Sequence, residues 1–350
     1  MKSNSQKVLQ LNLIKYGGCN FRMSSIFEKG EHLDPKYDHL DKYVLTMYRA
    51  FWTPAIYEQG IRETDVPHFE NNLPYIDQEA IRRGITLISL VEDKVKTYWP
   101  TLVLDLPQTI IGDVGGVFGQ SEVTHRRAYH SLTKALGVDL QEMMKHLELE
   151  GRVKYLNKHI EQDPKIIGKK RVLKKLVLFT ALVERISLYT WFYYLMSYAH
   201  ANRGLKTISA LQSTTCAEES YHYSFGIDVI NIIKEQHPSL WDEYLTELVV
   251  KNIKDAHKAE LRLIDWVFEK GVPSHITKEE LINFMNDNFN VVCKDLGLDL
   301  KFKVDADLFE DKNSWFNRKV FITGEPDFFA DPVGGYASTE VKVDLDTFEF

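Results

Sequence analysis

GQSEVTHRRAYH, residues 119–130, carries a glutamate and a histidine three positions apart, and CAEESYHY, residues 216–223, carries a second such pair. Positions i and i+3 of an α-helix share a face, so Glu122 with His125, and Glu219 with His222, each aim a carboxylate and an imidazole the same way. Outward from these, Glu92 closes the apolar run ITLISLVE (85–92), 30 residues before Glu122. Glu184 closes LVLFTALVE (176–184), 35 residues before Glu219. The same two-helix unit, a lone glutamate and then Glu-x-x-His, is written twice. An isolated helical glutamate is ordinarily a solvated residue. These two emerge from apolar faces, where an unpaired carboxylate is heavily penalised.

Four helices contributing Glu, Glu-x-x-His, Glu and Glu-x-x-His form the inward-facing ligand set of di-iron and di-manganese carboxylate bundles. Four carboxylates balance two divalent cations, which removes most of the penalty for burying so many acids. Mixed carboxylate and imidazole donors suit iron or manganese better than zinc, whose structural sites often use thiolates. The expectation is therefore two transition-metal ions per chain. Tyr129, seven residues after Glu122 and four after His125, lies on the same helical stripe, which places its phenol near the metals.

The rest of the 350-residue chain fits a helical frame: Gly and Pro are sparse, at 19 and 11, and apolar residues recur at three- and four-residue spacing. The pattern predicts helices over about 38–50, 75–98, 101–136, 138–160, 169–201, 205–235, 238–270 and 277–295. A run as long as 169–201 suits an all-α, long helical bundle. The apolar content of 44% supports a sizeable core, and the net charge of −7 argues against a general nucleic-acid binder. Leu176 to Ala199 is long enough to span a bilayer, but Glu184 and Arg185 interrupt it, so a buried helix is expected and no membrane segment. Cys19, Cys216 and Cys293 form no Cys-x-x-Cys pair, and the first residues lack a secretory signal; a reducing cytoplasm fits both. The chain divides into an N-terminal extension (1–36), the bundle with its metal site (37–298), and a C-terminal appendage and tail (299–350). The tail closes with DLDTFEF, whose Phe348 and Phe350 suit a peptide that docks in a partner's groove.

The combined motifs resemble the small, radical-generating subunit of class I ribonucleotide reductase. They are Phe51-Trp52-Thr53-Pro54, Leu90-Val91-Glu92, Glu122-Val-Thr-His125-Arg-Arg-Ala-Tyr129, Val183-Glu184-Arg185-Ile186, Glu218-Glu219-Ser-Tyr-His222 and Phe328-Phe329-Ala-Asp-Pro-Val-Gly-Gly-Tyr336. The resemblance implies a ferritin-like bundle with extra helices and a flexible C-terminal tail. It implies that Glu92, Glu122 and His125 bind one metal, and Glu184, Glu219 and His222 the other, with bridging carboxylates. Tyr129 takes the radical position, Leu188 and Phe192 wall the radical from water, and Trp52 and Tyr336 occupy relay positions. The radical passes to a separate large subunit that reduces ribonucleoside diphosphates, and the tail anchors that subunit. A homodimer is also expected.

Two positions depart from the family pattern. Glu92 stands where Asp is usual; glutamate there occurs in a manganese–iron subclass that lacks the radical tyrosine, whereas Tyr129 is present here. An iron pair is the first expectation, with manganese–iron or dimanganese as the other options. Glu218 stands where the family usually has an Asp, hydrogen-bonded between the relay Trp and a metal-bound His. Two other functions use the same bundle: a di-metal oxidase or fatty-acid-type desaturase, and a metal-storage bundle. Trp52, Tyr129 and the aromatic tail disfavour the first, and the tail disfavours the second.

Overall fold

The computed structural model describes residues 13–16, 19–22, 24–30, 34–95, 97–306 and 314–320. The expected all-helical architecture has one departure among these residues, a short antiparallel hairpin of β1 (Leu13–Tyr16) and β2 (Cys19–Arg22) in the N-terminal extension. The helices follow in the order α1 (Asp41–Arg49), α2 (Ala55–Gly60), α3 (Val66–Asn72), α4 (Tyr75–Val95), α5 (Tyr98–Asp105), α6 (Thr109–Ala135) and α7 (Leu140–Met143). Next come α8 (Glu148–Leu156), α9 (Gly168–Leu178), α10 (Tyr189–His200), α11 (Lys206–Gln236), α12 (Glu243–Val267), α13 (Lys278–Leu296) and α14 (Ser314–Val320). α4, α6, the run from α9 to α10, and α11 surround the buried acidic and imidazole side chains.

The helix expected over 101–136 is two helices. Pro107 has no amide to continue the ladder, so α5 stops at Asp105 and α6 starts at Thr109. The glycines of α6 explain how the two pack. A Cβ on Gly115 would lie 2.4 Å from the Trp99 carbonyl oxygen, and one on Gly119 would lie 2.4 Å from Pro100 Cγ. Only glycine lets α5 come this close, and the approach seats Trp99 in the core with no exposure. The stretch expected as one helix over 138–160 is likewise split, and Asp139 caps α7 by accepting from the Gln141 and Glu142 amides.

The long helix expected over 169–201 is interrupted by a π-helical segment, Phe179–Ile186. The Ser187 amide reaches back five residues to the Leu182 carbonyl at 3.2 Å, so one residue more than an α-turn holds is inserted beside Glu184. Buried Arg152 donates to the Ser187 carbonyl at the end of this segment. It also pairs with buried Glu260 at 3.3 Å, to which Tyr155 and Trp191 donate at 2.5 and 3.0 Å. An ion pair held by these further hydrogen bonds is tolerable inside a core, and removing one partner would strand the other.

Side chains close the starts of α11, α12 and α13. Asp65, at the end of a second π-helical stretch (Ile61–Asp65), accepts from the Ile208 amide at 2.6 Å in the first turn of α11. Asp242 caps α12, and Thr277 with Glu280 forms a capping box at α13. Residues 299–306 run along α13, where Asn290 and Asn283 each bond in both directions to the backbone of Phe302 and Asp305. Among the described residues no helix is long and apolar enough to cross a membrane. Tyr336, Phe348 and Phe350 lie outside the described residues.

Candidate metal centre

Each helix brings one part of the ligand set. Glu92 lies on α4, Glu122 and His125 on α6, Glu184 on the π-helical segment, and Glu219 and His222 on α11, and none of the six is more than 1% exposed. They form two overlapping clusters, Glu92, Glu122, His125 and Glu219, and Glu122, Glu184, Glu219 and His222; within each, one donor atom per residue lies within 4.8 Å of the others. Glu122 and Glu219 belong to both. The two rings stand 6.1 Å apart, centroid to centroid.

The donors fit metal ions better than they fit each other. Both oxygens of Glu92 are buried without a hydrogen-bond partner, and those of Glu122, one of Glu219 and His125 Nδ1 make no well-directed bond although His125 Nδ1 stands 2.9 Å from Glu219 Oε1 and His222 Nδ1 3.1 Å from Glu122 Oε1. Such orphaned groups are rare in a folded core and call for an explanation. Burial pushes the Glu92, Glu122 and Glu184 carboxyls above the usual range, and neighbouring carboxylates push further. Burial also acts to raise Glu219, but the His222 and His125 imidazoles outweigh it and hold that carboxyl low. Burial acts to lower both imidazoles, yet the surrounding carboxylates overcome it and raise them. In the absence of cations, protons take their place at this site, and metal binding displaces them.

The two halves differ behind the ligands. His125 Nε2 lies 2.5 Å from Glu218 Oε2, and the Trp52 indole N–H donates to the same oxygen at 2.9 Å. Glu218 therefore lies between Trp52 and a candidate ligand histidine despite its extra methylene. His222 Nε2 instead meets the Ser121 hydroxyl at 3.1 Å, and its ring packs 4.2 Å from Phe118. Glu184 Oε1 accepts from the Trp99 indole at 3.0 Å.

Tyr129 is buried at 1% exposure and donates to Gln212 Oε1 at 2.7 Å; burial, then the Glu92 carboxylate, pushes its phenol well above the ordinary range. Leu188 and Phe192 are buried in the adjoining core, at 2% and 0% exposure. Three neighbours escaped sequence reasoning: Trp99, Ser121 and Gln212. Gln212 carried a usable signal, since it lies seven residues, two turns, before Glu219. Ser121 carried one too, four residues and one turn before His125 on α6, whereas Trp99 reaches the site through tertiary approach and had none.

Residues 31–312 match the family described as "Ribonucleotide reductase, small chain". The chain is 30% identical over 105 residues to the ribonucleoside-diphosphate reductase subunit beta of Chlamydia pneumoniae, a stretch that spans 30% of each protein. Among solved structures it resembles the ribonucleotide reductase R2 subunit from Clostridium botulinum, with TM-score 0.68 and 15% identity, over 81% of this chain and 88% of that one. A Bacillus halodurans protein assigned to class I ribonucleotide reductase gives TM-score 0.67 at 17% identity, covering 81% and 99%. An R2-like ligand-binding oxidase variant with an aerobically reconstituted Mn/Fe cofactor gives TM-score 0.61 at 17% identity, covering 75% and 95%. The structures establish the shared fold, and the family match runs through all six candidate ligands: this chain belongs to the ribonucleotide reductase small-chain family.

Proposed function

We propose that this chain is the radical-generating beta subunit of a class I ribonucleoside-diphosphate reductase, working as a cytoplasmic homodimer beside a large catalytic subunit. The observation that carries the reading is the bonded line from Trp52 through Glu218 to His125, which ties a candidate ligand to an aromatic ring 7% exposed. A storage bundle has no use for such a line, and neither has an oxidase whose substrate enters the core.

Glu92, Glu122 and His125 would hold one ion and Glu184, Glu219 and His222 the other, with Glu122 and Glu219 bridging because both belong to each cluster. An iron pair is our first assignment, on the strength of Tyr129. The bound ions supply the oxidising power from dioxygen that no side chain has unaided. Tyr129 contributes a phenol held in place by Gln212 and shielded from water, with Leu188 and Phe192 as part of that dry wall. Glu218 accepts from the Trp52 indole and faces His125, which keeps the relay ring in register and favours positive charge on it. Tyr336 continues the relay to the large subunit, and the closing Phe348 and Phe350 dock the tail.

Deleting residues 337–350 tests the assignment. The truncated chain is expected to keep its metals and its electron-spin signal while losing large-subunit binding and nucleotide reduction. Failure of the full chain to bind a large subunit or support reduction would point to an oxidase or a storage role, and retained binding after truncation would remove the tail as the dock. Light scattering at micromolar concentration checks the dimer.

A further inference from the structure

The π-helical turn separates Glu184, which faces the acidic cluster, from Arg185, which faces two tyrosines. The Arg185 guanidinium carbon lies 4.4 Å above the Tyr189 ring and 4.9 Å above the Tyr223 ring. Tyr189 is fully buried, five residues after Glu184, and Tyr223 directly follows His222. Tyr223 donates to Asp295 at 2.8 Å, on the half-buried flank of α13. A phenol beside an anionic proton acceptor is the kind most easily oxidised, and Asp295 sets this one beside a partly exposed stretch of α13. Any oxidising equivalent made at the cluster has a wrong exit here.

The cation alters that. A ring attracts a guanidinium through its electron-rich face, and oxidation removes that attraction; if the proton lags, it also sets positive charge against positive charge. Two other rings at the cluster have different neighbours: Trp52 faces the Glu218 carboxylate, and Tyr129 faces the neutral Gln212 amide. Among the described residues no Lys or Arg lies over either ring, whereas Lys175 lies 5.3 Å above Tyr98, another tyrosine near Glu184. We infer that Arg185 steers oxidation away from Tyr189 and Tyr223 and so keeps it for Tyr129 and Trp52. The inference rests on the oxidant-generating function proposed above. In the suppressed event, one electron would pass from Tyr223 to the metal pair oxidised by dioxygen, and the Tyr223 phenolic proton to the Asp295 carboxylate.

The test uses full-length protein in a Tyr129→Phe background, loaded with ferrous ion, exposed to oxygen and freeze-quenched for electron-spin spectroscopy. With Arg185 present, tyrosyl signal is expected to stay low; Arg185→Gln should raise it by roughly 3-fold or more. Adding Tyr189→Phe and Tyr223→Phe should abolish the increase, and Arg185→Lys, which keeps the charge, should suppress it. Arg185→Met carries the same test should the Gln variant fold poorly or lose metal. A metal-loaded Gln or Met variant with no more tyrosyl signal than its background overturns the inference, as does equal signal in the Lys and Gln variants. Absence of any metal-dependent signal even in the parent chain overturns the functional reading itself.

Discussion

The two halves of the centre repeat the same ligands and surround them differently. Around His125 the next layer is charged and connected, with Glu218 and then Trp52 reaching toward the surface. Around His222 it is neutral and closed, with the Ser121 hydroxyl, Phe118 and Trp99 packed against the imidazole. Beyond that half, Arg185 covers the two tyrosines that could lead outward. The repeated motif gathers the candidate donors, and the residues behind it make the two halves different.

The largest effect should come from the residues the halves share. Glu122→Ala or Glu219→Ala is expected to cost both ions, while Glu92→Ala or Glu184→Ala leaves roughly one per chain; elemental analysis after metal loading checks this. Next comes the contrast itself. Trp52→Phe or Glu218→Gln should lower nucleotide reduction with the large subunit by roughly 100-fold at unchanged metal content, and Ser121→Ala by less than about 10-fold. Equal losses would erase the distinction between a wired and a closed half.

The closed half also depends on how tightly α5 is seated. Gly115→Ala drives a methyl into the Trp99 carbonyl and should destabilise by about 1–3 kcal/mol, read as a drop in the thermal midpoint. Gly116→Ala meets nothing within 4 Å and should be neutral or stabilising, by up to about 1 kcal/mol. The smallest effect concerns pH. His159, edge-on to Tyr98 and Phe179 behind Glu184, is lowered by burial from 6.5 to about 4. The unfolded chain therefore binds this proton first, so the contribution is present above about 6.5 and is lost as pH falls toward about 4. A His159→Gln variant should lose less stability than the parent between these limits in denaturant titrations.

The ligands were legible because a spacing of three fixes a common helical face whatever the tertiary structure. Glu92 and Glu184 were legible because apolar neighbours announced burial. Pro107 marked the break between α5 and α6, but the apolar periodicity on both sides masked it. The α6 glycines declared nothing until α5 lay against them. Nor did Arg185: regular helical geometry sets it about 100° from Glu184, and only the inserted π-turn and the folded positions of Tyr189 and Tyr223 give it its place. The pairing of Trp99 with Glu184, 85 residues apart, comes from packing alone, whereas that of Trp52 with Glu218 was legible only through the family resemblance.

Anomalous diffraction from crystals of metal-loaded protein, recorded at the iron and manganese edges, tests the central claim most directly. Two peaks inside the bundle are expected, one bounded by Glu92 and His125, the other by Glu184 and His222, with Glu122 and Glu219 touching both. A single peak, or ions bound elsewhere while any of these six side chains turns away, would contradict it.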